Sequence, residues 1–581
     1  MMKLFPYAPR LSLQSSERIS ELQGEGLGSQ AQWSESSKER ERAHRRPNDS
    51  IAAGPETCDP KRTPRKVGCA GPLPRARWEA ELQEIGSQLG SNPGSVDLRY
   101  RQALLCFELG RTADAKNGFM KVLAREPHHL GALNALGNLL FAAVQYRAAR
   151  LAYGRAVASH PNDALSRVNL GDLLRQWSEQ LEPCGQGEAA LRFLREAREH
   201  YEKALRLRAG YEQAHEGLSY VLACTGDAPG AAFHRREAFH HRFIIPLPYR
   251  GEHDPIPVLR LASTTGGNVR LQSFLDDRIF HTFVVLPEFY DSSTPLPPHR
   301  LVVNAIGNAE IGAGTLAAAQ AVLALTSAPV INPPAAVLPT TRSNNAARFS
   351  GLPGVVSPIT ATLPRERLSA SDAASTLARY GLHFPLLLRT PGCHTGLNFL
   401  RMESFEGLPA ALAELPGEEL TVMEYLDARG PDGKVRKYRA MTIDGQLYPL
   451  HLAISDRWKV HYFSADMAGK PEHRAEEAAF LEDMPGVLGP LAMHGLEQIQ
   501  SLLGLDYGGI DFGLNAKGEI LLFEANATMA VYPPGTHERW NYRQPAYRRI
   551  RAAVQEMLLN RCRPEMLSVR SGIRDTAEMG A

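Results

Sequence analysis

Cysteine is scarce in this chain of 581 residues, and the seven that occur (Cys58, Cys69, Cys106, Cys184, Cys224, Cys393 and Cys562) form no CxxC pair. Their scatter excludes a disulfide framework and a thiolate zinc site, and it suits a reducing compartment. No stretch approaches the run of roughly 20 apolar residues that a membrane helix requires. The segment "MMKLFPYAPRLSLQSSERIS" also lacks the apolar centre of a signal peptide. Together these features lead to an expectation of a cytoplasmic protein. Excess charge is lacking too: a formal net charge of +2 exerts no general pull toward nucleic acid or a membrane surface. There is no Ser–His or Cys–His signature of a protein nucleophile. "TTGGNV" (264–269) lacks the spacing of a dinucleotide fingerprint and reads as a turn.

Length alone implies about three domains. Residues 1–75 are rich in Ser, Gly, Pro and Arg, as in "SSKERERAHRRPNDS". Such a segment cannot bury enough apolar surface to offset its ordering entropy, and disorder is expected. Residues 561–581 are expected to form a flexible tail.

From 80 to 240 the chain is helical and repetitive. Leu136, Gly137, Ala149, Tyr153, Ala156 and Pro161 recur 34 residues earlier as Ala103, Ala115, Phe119, Val122 and Pro127, and 34 later as Leu170 and Gly171. The second helix of that third unit arrives late, as Ala197, Tyr201 and Ala204, which implies a 14-residue insertion around "EQLEPCGQGEAA". Leu218, Ala231 and Ala238 make a fourth unit. The pattern resembles a tetratricopeptide array. Small residues there let paired helices approach, and the aromatic fills the gap between them. The resemblance implies either a concave surface for a peptide or protein partner or a structural platform.

Past a Pro-rich link, "HHRFIIPLPYRGEHDPIP", short β-type runs at 257–263, 281–287 and 300–307 precede a helix at 314–325 and a strand at 329–334. This alternation predicts a small parallel α/β domain over 255–338. Residues 339–560 read as an α+β domain, with helices at 341–350, 370–380 and 489–503.

The sharpest chemical signal is "GGIDFGLNAKGEILLFEANATM". Asp511 interrupts one apolar run, and Glu524 and Asn526 close the next. The turn "NAKG" makes the two runs a hairpin, and strand alternation sets Glu524 and Asn526 on one face. Two carboxylates and an amide held on a rigid sheet are a donor set for a hard divalent cation.

This D…E-x-N pattern resembles that of the ATP-grasp superfamily, of the glutathione synthetase type, and the resemblance covers about 255–545. It implies a multidomain architecture: an all-α tetratricopeptide solenoid, an α/β pre-ATP-grasp domain and an α+β ATP-grasp domain. Asp511, Glu524 and Asn526 would then hold Mg²⁺ or Mn²⁺ against ATP phosphates. "HFPLLLRTPGCHTGLNF" is similar to the family's strand and Gly-rich phosphate loop, with Arg389 as the cation and Gly392, His394 and Gly396 in the loop. "TVMEYLDA" is similar to the adenine-reading hinge, with Glu424, Tyr425 and Leu426 at its positions. Arg439 in "KYRAMTIDGQ" matches the arginine near the transferred phosphate, and Arg342 stands where the family has its first nucleotide-contacting lysine. Arg replaces Lys at both 342 and 389, which keeps the charge but changes reach and hydration. His451 and Lys459 are candidates for an acceptor pocket.

The activity implied is ATP-dependent joining of a carboxylate to an amine or related nucleophile through an acyl phosphate, with the repeats holding a peptide or protein substrate. The rival expectations are a kinase acting on a hydroxyl and a non-catalytic ATP-sensing scaffold.

Overall fold

The computed structural model describes residues 75–181, 187–393, 396, 398–462 and 465–563. The segments 1–74 and 564–581, on which the disordered-terminus and tail expectations fall, lie outside the described residues, as does His394.

Among the described residues, nine helices span 75–239: α1 (Arg75–Ser91), α2 (Val96–Glu108), α3 (Thr112–Arg125), α4 (Leu130–Ala142), α5 (Tyr146–Ser159), α6 (Ala164–Leu181), α7 (Gly187–Leu207), α8 (Glu212–Cys224) and α9 (Ala228–Phe239). The eight from α2 to α9 form four helix pairs, matching the four registers read from the sequence; α1 packs on α2 ahead of them. The recurring small and aromatic residues interlock. A Cβ on Gly137 would lie 2.3 Å from the ring of Tyr153, and one on Gly217 would lie 2.2 Å from that of Tyr201. Those rings are almost wholly buried, as are Ala149, Ala156, Ala197 and Ala204. The array is a tetratricopeptide-like helical repeat. Its insertion is absorbed mainly by lengthening: α6 and α7 have 18 and 21 residues, against 13 and 14 in the pair before them.

Among the described residues, three sheets follow. The first has the order β1 (Ile244–Pro246), β3 (Phe280–Val285), β2 (Ile256–Leu261), β4 (Leu301–Asn304), β5 (Val330–Ile331). It is parallel as expected, except at β1, which pairs antiparallel with β3. Residues 244–246 were expected in the Pro-rich link. An edge strand tolerates Pro246 because one side of it needs no N–H donor. The helix expected at 314–325 is α10 (Ala309–Leu323), five residues early. The Asn308 side chain caps it by accepting from the Glu310 N–H at 2.9 Å, which lets a Gly-rich stretch start a helix. The repeats dock on this sheet through Ala238 and Phe239 against Ala262, Val284 and Leu286.

The second sheet is antiparallel, in the order β7 (Thr360–Pro364), β10 (Glu419–Glu424), β8 (Leu386–Arg389), β9 (Phe399–Met402). The third has the order β12 (Gln446–Ser455), β11 (Val435–Ile443), β13 (Tyr507–Leu514), β14 (Ile520–Asn526), β6 (Val355–Val356). The expected hairpin about "NAKG" is β13–β14. The longer helices of this half are α11 (Arg342–Phe349), α12 (Pro471–Glu482), α13 (Met484–Leu503) and α14 (Gln544–Arg561). The helix expected from 489 begins at Met484, and its expected start marks an internal break, where Gly489 takes φ 79° just before Pro490. Leu259, Val302 and Leu316 of the first α/β unit share one continuous core with Ile510, Phe512 and Ile499 of the third-sheet unit.

Candidate functional site

A single cross-strand row organises the site. Register pairs His451 with Arg439, Arg439 with Asp511, and Asp511 with Glu524, so the row runs over four adjacent antiparallel strands. Directly paired residues share a face of the sheet, and so do residues two apart on one strand. Lys437 and Asn526 therefore join the same face.

Asp511 is fully buried, with its side chain 0% exposed. Its Oδ1 accepts from Arg439 Nε at 2.5 Å, and its Oδ2 accepts from Arg439 Nη2 at 2.7 Å. Lys437 Nζ lies 2.7 Å from Oδ2. Burial opposes the charge, but Arg439 and Lys437 overcome it and hold the carboxyl well below the usual carboxylate range. Glu524 accepts from Arg342 and, at 2.7 Å, from Asn526 Nδ2. The Asn526 Oδ1 accepts from the Thr528 N–H at 2.8 Å and from its hydroxyl at 2.6 Å.

Arg342 opens α11 and reaches two carboxylates at once. Its Nη1 donates to Glu310 Oε2 at 2.6 Å, and its other terminal nitrogen donates to Glu524. Glu310, from the first turn of α10, also accepts from the Gly392 N–H at 3.0 Å. Gly392 needs its freedom: φ is 75°, and a Cβ would meet Ile311 at 2.3 Å. Arg389, at the end of β8, is buried. One of its terminal nitrogens donates to the Cys393 carbonyl, while its Nε has no partner. Burial and the neighbouring Arg342 push its pKa down to about 10, against the pull of Glu524 and Glu310. Arg342, Arg389, Lys437 and Arg439 thus face Glu310, Asp511 and Glu524: four cations against three carboxylates, with one positive charge in excess.

The remaining sequence candidates divide. Glu424 ends β10, and its Oε2 accepts from the Ile359 N–H at 3.3 Å, so its carboxylate is tied to the neighbouring chain segment. The Tyr425 N–H donates to the Pro385 carbonyl at 3.1 Å, and Arg401 lies over the Tyr425 ring at 3.9 Å. Leu426 packs against Ala428, Val435 and Leu521. Gly396, at φ 76°, lies against the Lys459 side chain, which donates to the Phe399 carbonyl at 3.2 Å. Lys459 is therefore absent from the lining of the cleft described next.

That cleft begins where the row ends. Its cavity volume is about 50 Å³, and Lys437, Arg439, His451, His461, Tyr462 and Arg543 are among its lining residues. Burial, Arg439 and Lys437 push His451 well below its ordinary pKa against the pull of Asp511. Burial, with Lys437 and Arg439, pushes His461 down to about 4. Both imidazoles are neutral at pH 7. Arg543 is fixed by Glu477 at 2.7 Å and by the Tyr462 hydroxyl at 2.7 Å, and it stacks on Trp540 at 4.0 Å.

Among the described residues, no three of His, Cys, Asp and Glu come together as a metal site. An ion at the expected position would rest on two carboxylates and the Asn526 amide. The donor set is nonetheless all hard oxygen: Arg439 and Lys437 hold the Asp511 carboxyl ionised, and Glu524 already accepts from the cationic Arg342. The residues fit a hard divalent cation.

Sequence reasoning missed Lys437, Glu310, His461, Tyr462 and Arg543. Lys437 carried a signal, standing two residues before Arg439 in a strand. Glu310 and Arg543 carried none.

No protein-family model matches the chain, and no curated protein matches it. Among solved structures it is similar to MamA, with 19% identity over 28% of this chain and 88% of that one, at a TM-score of 0.23. MamA from Desulfovibrio magneticus RS-1 is 23% identical over 28% of this chain and 85% of its own, at 0.23. A thermophilic tetratricopeptide protein of Thermus thermophilus is 18% identical over 29% of this chain and 84% of its own, at 0.24. The helical-repeat fold of 75–239 rests on the glycine–tyrosine interlocks above, and it is followed by a mixed α/β region of several sheets. Among the described residues, no helix is long and apolar enough to cross a membrane.

Proposed function

We propose that residues 255–560 form an ATP-grasp enzyme that joins a carboxylate to an amine or related nucleophile at the expense of ATP. One observation carries the reading. Arg389 is buried beside Arg342 with its Nε unpartnered, and a cluster with more cations than carboxylates favours a further anion. A nucleotide polyphosphate supplies that anion. The hinge of Glu424, Tyr425 and Leu426 lies at the end of the strand adjacent to β8, where a base would be read.

Asp511, Glu524 and Asn526 would hold Mg²⁺ or Mn²⁺, which would neutralise charge on the phosphate oxygens. Arg342 and Arg389 bind the β- and γ-phosphates. Arg439, fixed by Asp511, points its remaining charge toward the cleft. There it orients the substrate carboxylate for in-line attack on the γ-phosphorus and stabilises the charge that develops as the bond to the β-phosphate oxygen breaks and ADP departs. The acyl phosphate is then attacked by the nucleophile, a C–N bond forms, and inorganic phosphate leaves. Neutral His451 and His461 line the space this second substrate would use, and neutral imidazole does not compete for the carboxylate. The helical repeats are proposed to hold a peptide or protein partner, since stacked helix pairs present an extended concave face.

Calorimetry of the full chain with ATP tests the reading, with and without Mg²⁺, for the wild type, Glu524→Gln and Arg389→Met. Binding that weakens at least tenfold in both variants supports it. No heat of binding under any condition sinks it. ATP binding with no ADP release across a panel of acids and amines would leave a nucleotide-sensing scaffold in its place.

A further inference from the structure

The phosphate-type donors of this site already hold an anion. Glu310 Oε2 accepts from Arg342 Nη1 at 2.6 Å and from the Gly392 N–H at 3.0 Å, and Oε1 accepts from the Arg342 N–H at 3.3 Å. A backbone amide at a glycine with positive φ, a second backbone amide at the start of a helix, and a guanidinium converge on one group. That is the donor set of a phosphate site. The group they converge on comes from another unit of the fold: α10 of the first α/β domain, 82 residues from Gly392 and 32 from Arg342 in sequence. Its side chain is only 12% exposed. Glu524 holds the other arm of Arg342, so the guanidinium is shared between two carboxylates before any ligand arrives.

We propose that Glu310 is a resident anion that sets the charge threshold of the site, and so determines which phosphates bind. Orthophosphate can use these donors only by displacing a carboxylate held by three N–H donors, and it bears that cost in full. A triphosphate also engages Arg389, whose buried Nε has no partner, and so can bind with Glu310 still in place on Arg342. The expected outcome is strong preference for the longer anion. The preference is set by a residue that contacts no ligand once it has been displaced. This inference rests on the polyphosphate reading above and goes beyond it by naming the selectivity and its source.

The test uses the full chain without divalent cations. Inorganic triphosphate, pyrophosphate, orthophosphate and ATP are titrated by calorimetry into the wild type and Glu310→Gln. Removing the resident charge is expected to tighten orthophosphate and pyrophosphate at least tenfold and triphosphate less, so that the ratio of triphosphate to orthophosphate affinity narrows at least threefold. Glu310→Asp, whose shorter arm reaches the same donors less well, is expected to move the ratio the same way by a smaller amount, and it stands in if Glu310→Gln fails to fold. An unchanged ratio, or weaker binding of every phosphate, overturns the role of Glu310 while ATP binding by the wild type leaves the enzyme reading intact. Inorganic phosphates bound by Glu310→Gln, with ATP bound by neither protein even after Mg²⁺ is added, would uphold Glu310 and overturn the nucleotide reading. No binding of any probe to either protein, with Mg²⁺ or without it, would overturn both.

Discussion

Asp511 is where the row of charges is most exposed to a single change. Replacing it by Asn keeps the shape but leaves Arg439 and Lys437, each only 19% exposed, without their shared counter-charge. Breaking a buried ion pair by removing one partner costs about 3–5 kcal/mol. The Asn carbonyl restores one ordinary hydrogen bond, about 1 kcal/mol, so a net loss of about 3 kcal/mol is expected. Since 1.4 kcal/mol is tenfold, protection of backbone amides in β11 and β13 should fall roughly a hundredfold. Hydrogen exchange read by mass spectrometry on peptides covering 435–443 and 507–514 measures this directly, with peptides from α4 and α5 as an internal control that should not change. Combining Asp511→Asn with Arg439→Met removes the stranded guanidinium, and the double variant should recover at least about 1 kcal/mol relative to the sum of the two single losses. Protection in Asp511→Asn within threefold of the wild type, or strictly additive losses, would refute the view that this carboxylate is held by charge.

Three other outcomes follow from the same geometry. Gly137→Ala puts a methyl into the buried Tyr153 ring, and overpacking of this kind costs about 1–3 kcal/mol; thermal unfolding of the repeats should shift down while amide protection in β11 and β13 stays unchanged. His461 has its pKa lowered to about 4 by burial, Lys437 and Arg439, so the unfolded chain takes up that proton first. Stability should therefore fall as pH drops from about 6.5 toward 4, and His461→Gln should flatten part of that slope in urea titrations at stepped pH. Glu477→Ala strips buried Arg543 of its carboxylate partner and should lower the unfolding midpoint by several degrees, the equivalent of about 3–5 kcal/mol, as read by calorimetric melting.

What the sequence disclosed, and what it withheld, follows from the distance over which each residue acts. Asp511, Glu524 and Asn526 stood out because acids and an amide interrupt apolar runs with the period of a strand, and the four-residue turn between those runs is local. Tyr153 and Gly137 were legible for the same reason: they recur at a fixed interval and pack within one helix pair. Glu310 offers no such pattern. It sits among glycines and alanines at the start of a helix, and its meaning comes from Gly392 and Arg342. The Arg342–Glu524 contact spans 182 residues, far beyond any spacing rule. His451 could be singled out as a polar break in a strand, yet Lys459, read from the same run, turns to the Phe399 carbonyl because the strand ends at Ser455 and alternation no longer governs it. Pro246 misled by its chemistry, since a proline signals a link until an edge position is known to be available.

The continuous core shared by the first α/β unit and the third sheet bears on what counts as a module in this protein. A boundary drawn near residue 338 separates two regions of different pattern, but Leu259, Val302 and Leu316 lie on one side of it and Ile510 and Phe512 on the other, all within a single apolar interior. Separating the chain there would open that interior on both halves. The 255–338 region is thus not a detachable neighbour of the third-sheet unit but one wall of it. Gene fusions or deletions that preserve the protein are expected to carry 255–560 as one piece, with the helical repeats, joined through the smaller Phe239 contact, as the part free to be exchanged.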